Sequence, residues 1–589
     1  MNTLSTLSES QAGHRHSVTT HTPAISRREW GLALIVALAA VALTLVPYVL
    51  GNSLPQPGLV YMNLVMNPED AQTYWAKMLQ GYDGRWLYTI PFTPETHAAA
   101  FVGVFYLWLG QLARLLGISL LAMWHVSRMV AGVILFLVTF RFVAAFLPEP
   151  RARWTAYLLS IFGSGLGWLL FLLGQPYWLD AFPVDFKQPG AHLFFTALTF
   201  PHITLGTALI LINVYLLWRL GIGDWPMVHR RLPANLQSPI SNLGSRSSWL
   251  YAVLGGVVNV VLGIAYPFLI YIVAVTAALF WLYLAWQARR VLWRLGFLFA
   301  LMFAIPAPLY LVYAYTLRTN TVFRAWDAQA LTPSAPWPHY LVAYGPLLLL
   351  GFVHWIKRPS QRHQSVILWL WLLAVALLLY APLNPQRRFV QGVHVPLSIL
   401  ATAGFVQVIL PWLAQTRAWQ ALLTLPRYET ERLKRFVTVI FLIFMSLSNI
   451  YLLADVSRTA VLEQPDPLFR PEAEVTATTW LRQHADRTAV VLGHYQTGNY
   501  VAAHAGHRVI LGHWAETVDY EARKAAVAQF YDANSSDAWR QDFLRHLDVD
   551  YVWYGPRERQ LGDFNPATAS YLQPIFTHDD VQIYRVADH

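Results

Sequence analysis

Arginine and lysine are sorted by side along this 589-residue chain, and that sorting restricts its fold more than any motif does. Apolar runs lie near 30–50, 122–146, 154–174, 203–219, 249–266, 267–287, 295–316, 339–355, 366–381, 389–413 and 436–454. A helix of about 20 residues crosses a hydrocarbon core of ~30 Å, and the shortest runs need a thin patch of bilayer or polar flanks. With the N-terminus placed in the cytoplasm, alternate connections collect the basic residues: Arg27 and Arg28; Arg141, Arg151 and Arg153; Arg219, Arg230, Arg231 and Arg246; Arg289, Arg290 and Arg294; Lys357, Arg358 and Arg362; and Arg417, Arg427, Arg432, Lys434 and Arg435. The intervening connections are poorer in them. This asymmetry predicts an α-helical polytopic protein of eleven spans in the cytoplasmic membrane.

Composition agrees, because 13% charged residues is about half the soluble average of roughly 25%. The formal charge of +10 is then an anchoring rim and gives no argument for nucleic acid. With no cysteine, disulfides, thiol catalysis and Cys-ligated metals are excluded. Residues 1–25, rich in Ser, Thr and His, read as a disordered cytoplasmic tail. Run 30–50 lacks a small-residue cleavage site and reads as a retained anchor.

An odd number of spans puts residues 456–589 outside the cytoplasm, beyond a membrane domain of residues 26–455. Its short apolar strands alternate with helical patterns, as at 489–492, 508–511, 550–554 and 581–586, which predicts a small α/β domain. Three further external segments are expected at 51–121, 175–202 and 317–338. In the first, Asn67 and Pro68 form a helix-start signature, with Asn67 as N-cap. The helix that follows carries Tyr74, Trp75, Met78 and Leu79 on one side and groups Asp70, Thr73 and Lys77, as an interfacial helix would. The stretch 99–117 is apolar too, but as a span it would invert every later connection, so it is laid along the outer surface.

Ionisable groups at the outer end of spans are candidates for function. Asp70, with Glu69 beside it, is suited to orient or deprotonate an attacking hydroxyl; an acid in a first helical turn also stabilises the helix dipole. Arg387, Gln391 and His394 stand at i, i+4 and i+7, which would place them on one helix face. Arg387 and Arg388 together suit a phosphate or pyrophosphate, which guanidinium grips in a bidentate manner. Around Lys187, the acids Asp180 and Asp185 and the histidines His192 and His202 offer oxygen and nitrogen ligands for a divalent cation, but their spacing matches no metal motif and reads as a solvated loop. Of these, His202 is kept as a site residue because it opens a span. Arg318 and Arg324, with Trp326 and Asp327, form a further group for a lipid phosphate or sugar ring, or simply an interfacial belt. In the last domain, Gly493-His494 and Gly512-His513 each follow a strand, where ligand crevices of α/β sheets form, and Glu516 comes soon after. Phosphate-cradling Gly-rich loops, nucleophile elbows and zincin helices are absent from the sequence.

This layout of many spans, an acid in a long first external segment, a second external segment with acids and His, and an external C-terminal domain resembles the GT-C superfamily of multi-pass glycosyltransferases. The resemblance covers residues 26–455. It implies a sugar donor on polyprenyl phosphate, Asp70 as the catalytic or acceptor-orienting acid with Glu69 as its partner, and Arg387 and Arg388 as contacts for the lipid phosphate. His202, His394, Gln391, Arg318 and Arg324 would line the substrate site, and the acceptor would be a glycan, a lipid or a protein. A divalent cation remains open. Two branches fit less well: Thr96-His97-Ala98 replaces the His-Pro-Pro run of protein O-mannosyltransferases, and Tyr551-Val552-Trp553-Tyr554-Gly555 lacks the acid of the oligosaccharyltransferase signature. A transporter for a lipid-linked anion could use the same arginines without chemistry. Such proteins carry internal repeats and midplane polar sites, whereas here no repeat is visible and the polar groups cluster at the outer surface. A binding protein with a membrane anchor is the remaining alternative, but eleven spans exceed what anchoring needs.

Overall fold

The computed structural model describes residues 25–228, 246–358 and 362–587, so the expected tail, apart from residue 25, lies outside the described residues. Among the described residues, seven helices are long and apolar enough to cross a membrane. Two bent pairs raise this to nine if each is one span: Trp293–Ala304 with Ala307–Thr319, at 49°, and Thr430–Met445 with Leu447–Glu463, at 48°. The other two expected segments form shorter helices. Run 366–381 is covered by Arg362–Leu378, and run 154–174 splits into Pro150–Phe162 and Gly167–Leu172.

That split is satisfied by the neighbouring bend. The backbone N–H and hydroxyl of Ser164 donate to the Met445 carbonyl at 2.6 and 3.0 Å. In return the Asn449 amide donates to the carbonyls of Phe162 and Gly163 at 2.9 and 3.0 Å. Irregular backbone at membrane depth is tolerated where protein supplies the missing partners, and here two broken helices supply each other.

The first helix, α1 (Arg27–Ser53), leads into a long segment containing strand β1 (Leu59–Tyr61), helix α2 (Pro68–Tyr82) and helix α3 (Val104–Leu116), before span α4 (Leu120–Phe146). The helix-start signature works through Pro68 at the first position and the acids Glu69 and Asp70 in the first turn, where they favour the helix dipole. Asn67 is not a side-chain cap, in contrast to the expectation: its backbone is left-handed, with φ of 47°, and its side chain makes no capping hydrogen bond. At 13 residues, α3 is too short to span, as expected of a surface helix. It buries Val104, Tyr106, Leu107, Gly110 and Ala113 and leaves Leu112, Leu115 and Leu116 exposed.

Beyond the spans, β1 pairs antiparallel with β2 (Phe469–Pro471), which ties the start of the last 120 or so residues to the first long segment. Then come β3 (Val490–Leu492), β4 (Arg508–Val509), β5 (Tyr551–Tyr554), β6 (Leu572–His578) and β7 (Val581–Val586). They form one sheet in the order β4-β3-β5-β7-β6, parallel on the β4-β3-β5 side and antiparallel on the other. This α/β layer stands on α2. Its loop after β4 reaches down to that helix, and this contact builds the site.

Candidate functional site

A cleft of about 70 Å³ opens where α2 meets the ends of the spans, and among its lining residues are Asp70, His202, Arg387, Arg388 and Gln391. Five of the residues singled out in the sequence are thereby brought together from positions more than 300 apart. Tyr74, Tyr266, Phe200, Asn67, Lys187 and the backbone around Gly190 complete the wall.

Asp70 is in the first turn of α2 and keeps 30% of its side chain exposed. His513, in the loop after β4, bonds to its Oδ1 at 3.2 Å. Burial opposes ionisation of Asp70, but the hydrogen bond and electrostatic effect of His513, followed by the charges of Arg388 and Arg387, outweigh it and hold the carboxyl down to about 2. The group is a permanent anion facing two cations. Glu69 does not line the cleft and lies by Tyr495 of the C-terminal domain, whose ionisation its charge opposes.

The arginine pair is fixed by its backbone. Residues Gln386–Val390 form a tight 3-10 turn. The Thr332 N–H donates to the Asn384 carbonyl at 2.9 Å, and the Arg387 N–H donates to the Thr332 carbonyl at 3.1 Å. The Arg388 guanidinium lies 5.9 Å from the ring centres of both Tyr266 and Phe268, a cation–π setting at the cleft wall.

The helix face expected for Arg387, Gln391 and His394 does not exist. After the 3-10 turn Gln391 is extended, and Gly392 turns the chain with φ of +77°, a conformation open to glycine. A regular helix resumes only at His394. Gln391 therefore lines the cleft floor, donating to the Ile203 carbonyl at 2.5 Å and Thr207 Oγ1 at 2.8 Å. His394 is carried away from the cleft. It is fully buried, with Nδ1 3.3 Å from the Ser160 carbonyl and its ring 4.8 Å from that of His192.

His202, in the first turn of the helix Pro201–Val228, bonds to the Tyr106 hydroxyl at 2.7 Å. Its ring also lies 4.8 Å from those of Tyr74 and Tyr266. The segment with Asp185 and His192 is no solvated loop. Both residues are buried, 3.0 Å apart, and Asp185 also accepts from the Gly167 N–H and the Ser448 hydroxyl at 2.6 and 2.8 Å. These bonds pin the loop to the broken spans. Among the described residues no three His, Cys, Asp or Glu side chains are arranged to hold a metal ion. Arg318 and Arg324 are exposed and stand outside the cleft.

Two features escaped sequence reading. The aromatic wall of Tyr74, Tyr106 and Tyr266 has no signal in a chain this rich in aromatics. The second is an ion pair: Lys77 Nζ donates to Glu516 Oε1 at 2.9 Å, both residues being buried, and the Tyr88 hydroxyl donates to Glu516 Oε2 at 2.6 Å. The Lys77 ammonium also sits 4.2 Å over the Tyr88 ring. Glu516 was visible as a polar residue after β4, but its partner was read as part of a surface stripe.

No family model matches the sequence, and none of the curated proteins does. Solved structures do. ArnT from Cupriavidus metallidurans in the apo state aligns with a TM-score of 0.52 at 11% identity, over 94% of this chain and 98% of that one. The same protein bound to undecaprenyl phosphate gives 0.51 at 12%, over 95% and 98%. The chain has the GT-C fold. The arabinofuranosyltransferase AftD from Mycobacteria aligns with a TM-score of 0.50 at 14% identity, over 96% of this chain but 40% of that larger one. The chain thus shares its fold with ArnT over nearly the full length of both.

Proposed function

We propose that this protein is a membrane glycosyltransferase that moves a sugar from a polyprenyl-phosphate donor to an acceptor at the outer face of the cytoplasmic membrane. The observation that carries this reading is the opposition of Asp70 to Arg387 and Arg388 across one narrow cleft. At about 70 Å³ the cleft has room for roughly two water molecules at ~30 Å³ each, which suits a small anionic group, with the prenyl chain and sugar outside it. Arg387 and Arg388 hold the phosphate of the donor. As the glycosidic bond breaks, negative charge grows on that phosphate, and two prepositioned guanidiniums stabilise it without reorganisation. Asp70 accepts a hydrogen bond from the acceptor hydroxyl and aims its oxygen at the sugar. Because the carboxylate is a weak base, it takes the proton late, as the new bond forms and the hydroxyl becomes acidic. His202 and Gln391 shape the floor. The likeness to ArnT, solved with undecaprenyl phosphate bound, supports a lipid-linked donor.

The test is release of free polyprenyl phosphate from a panel of polyprenyl-phosphate sugars by purified protein in nanodiscs, with crude envelope acceptors. Wild type releases it, and Asp70→Asn and Arg388→Ala each lower the rate by about 100-fold or more, the usual scale for losing one electrostatic or acid–base group. Tight binding of the lipid without release from any donor would instead favour a transporter or binding protein.

A further inference from the structure

His513 reaches Asp70 from the α/β domain, 443 residues along the chain, and stands behind the cleft wall. Both of its ring nitrogens are engaged. The backbone N–H of Ala515 donates to Nδ1 at 3.3 Å, so Nδ1 carries the lone pair and the proton is on Nε2. That Nε2 is the atom 3.2 Å from Asp70 Oδ1. In neutral imidazole one nitrogen donates and the other accepts, and the partner of one sets the role of the other. His513 is therefore a donor to Asp70 and has no free nitrogen with which to take a proton from an acceptor.

The ring is held from three sides. Glu516 bonds Lys77 on α2 and Tyr88. The Thr517 hydroxyl accepts from the Gly512 N–H at 3.0 Å and donates to the Phe92 carbonyl at 2.8 Å. Gln329, at the end of the helix Thr321–Gln329, donates to the carbonyls of Ala515 and Thr517 at 3.3 and 2.9 Å. Five hydrogen bonds to residues outside it thus fix the loop that carries His513 to Asp70.

We infer that His513 is a positioning residue. It donates Nε2–H to Asp70 Oδ1, fixes the plane of the carboxylate, and leaves Oδ2 as the oxygen that meets the acceptor hydroxyl. The α/β domain thereby sets the orientation of a cleft residue, and the membrane region alone is not a whole site. This inference rests on the role given to Asp70 above. The other charged and titratable groups around Asp70 are Arg387 and Arg388 from the 3-10 turn, His202 from its helix, Lys187 from the helix Val184–Lys187, Tyr266, Tyr495, the Lys77–Glu516 pair, and Glu69 and Tyr74 on α2.

The test uses the full chain in nanodiscs with His513→Ala, His513→Gln, His513→Asn and Asp70→Asn. A glutamine amide nitrogen reaches the place of Nε2, whereas an asparagine is too short. The first readout needs no substrate: the infrared carbonyl band of protonated Asp70, identified by its loss in Asp70→Asn, is followed as pH is lowered. In His513→Ala and His513→Asn the band emerges at a pH about one unit or more above wild type, and in His513→Gln close to wild type. The second readout is polyprenyl phosphate release, in which Ala and Asn lower kcat about ten- to a hundredfold, the scale expected for a misplaced reacting group. KM for the donor stays within about twofold, and Gln restores most of the rate.

An Asp70 titration that is the same in wild type, His513→Ala and His513→Asn overturns the inference whether or not release is detected. Release that is lost in Asp70→Asn yet untouched by His513→Ala and His513→Asn also overturns it while the glycosyltransferase reading stands. Release that Asp70→Asn leaves unchanged defeats that reading itself. Should His513→Ala fail to fold, the comparison of Gln with Asn decides.

Discussion

Lys77 shows how far one residue's meaning depends on what folds against it. In the sequence it is a cation on the polar side of an interfacial helix; in the structure it is buried against Glu516 with Thr73 and Tyr88 around it. Breaking such a pair from one side leaves an uncompensated buried charge and costs about 3–5 kcal/mol. Lys77→Met should therefore lower the thermal midpoint in detergent by several degrees, and adding Glu516→Leu should recover much of the loss, as a double-mutant melting series would show. At Asp70 the prediction concerns pH. The folded-state carboxyl is held to about 2, below its ordinary 3.8, so the unfolded chain binds its proton first as pH falls. The stabilisation is complete above about pH 4 and disappears toward pH 2. Between those values the melting temperature of wild type should drop more than that of Asp70→Asn; parallel curves would contradict the depressed value. The acid itself was legible in the sequence through its place after Asn67-Pro68. His513 was legible too as a candidate at a strand end, but not as the partner of Asp70, a pairing that exists only once the sheet sets it over α2.

Among the elements, α2 and α3 cross as closely as backbones allow. A Cβ built at Gly81 would fall 1.9 Å from the Leu107 carbonyl oxygen, and one at Gly110 equally close to that of Met78. Backbone cannot yield as a side chain can, so Gly110→Ala must separate the helices and shift Asp70 with them. We expect a cost of about 1–3 kcal/mol and a fall in polyprenyl phosphate release. Gly31→Ala, where nothing lies within 4 Å, should match wild type in both assays. The long apolar elements were readable because the cost of exposing backbone in lipid imposes helix on any such run. The interruptions were not. The break after Phe162 and the turn at Gln391–Gly392 exist because other segments, Met445 and Asn449 in one case and Ile203 and Thr207 in the other, satisfy the backbone or hold the side chain there. Periodicity carried straight through the second of these placed His394 on a face it does not share with Arg387.

For the whole molecule, the orientation proposed from the arginines is open to a direct test, because the chain contains no cysteine. Single substitutions at two exposed positions, Asp579→Cys after β6 and Arg432→Cys in the helix Thr430–Met445, can be treated with a membrane-impermeant maleimide. Asp579→Cys should be labelled once the inner membrane's outer face is accessible, and Arg432→Cys only after that membrane is breached. The reverse pattern would invert the topology and move the cleft to the cytoplasmic side. What the sequence by itself determined was which segments are apolar enough to form membrane helices and the kinds of chemistry available. Hydrophobic runs, the sorting of arginine by side, and the alternation of short strands with helices are local properties, and local physics fixes them. What only the tertiary structure decided was which polar groups meet. Asp70 belongs with Arg388 and His513, and His394 does not, because closing loops of more than 300 residues selects partners by the packing of the entire chain, and packing leaves no periodic mark in the sequence.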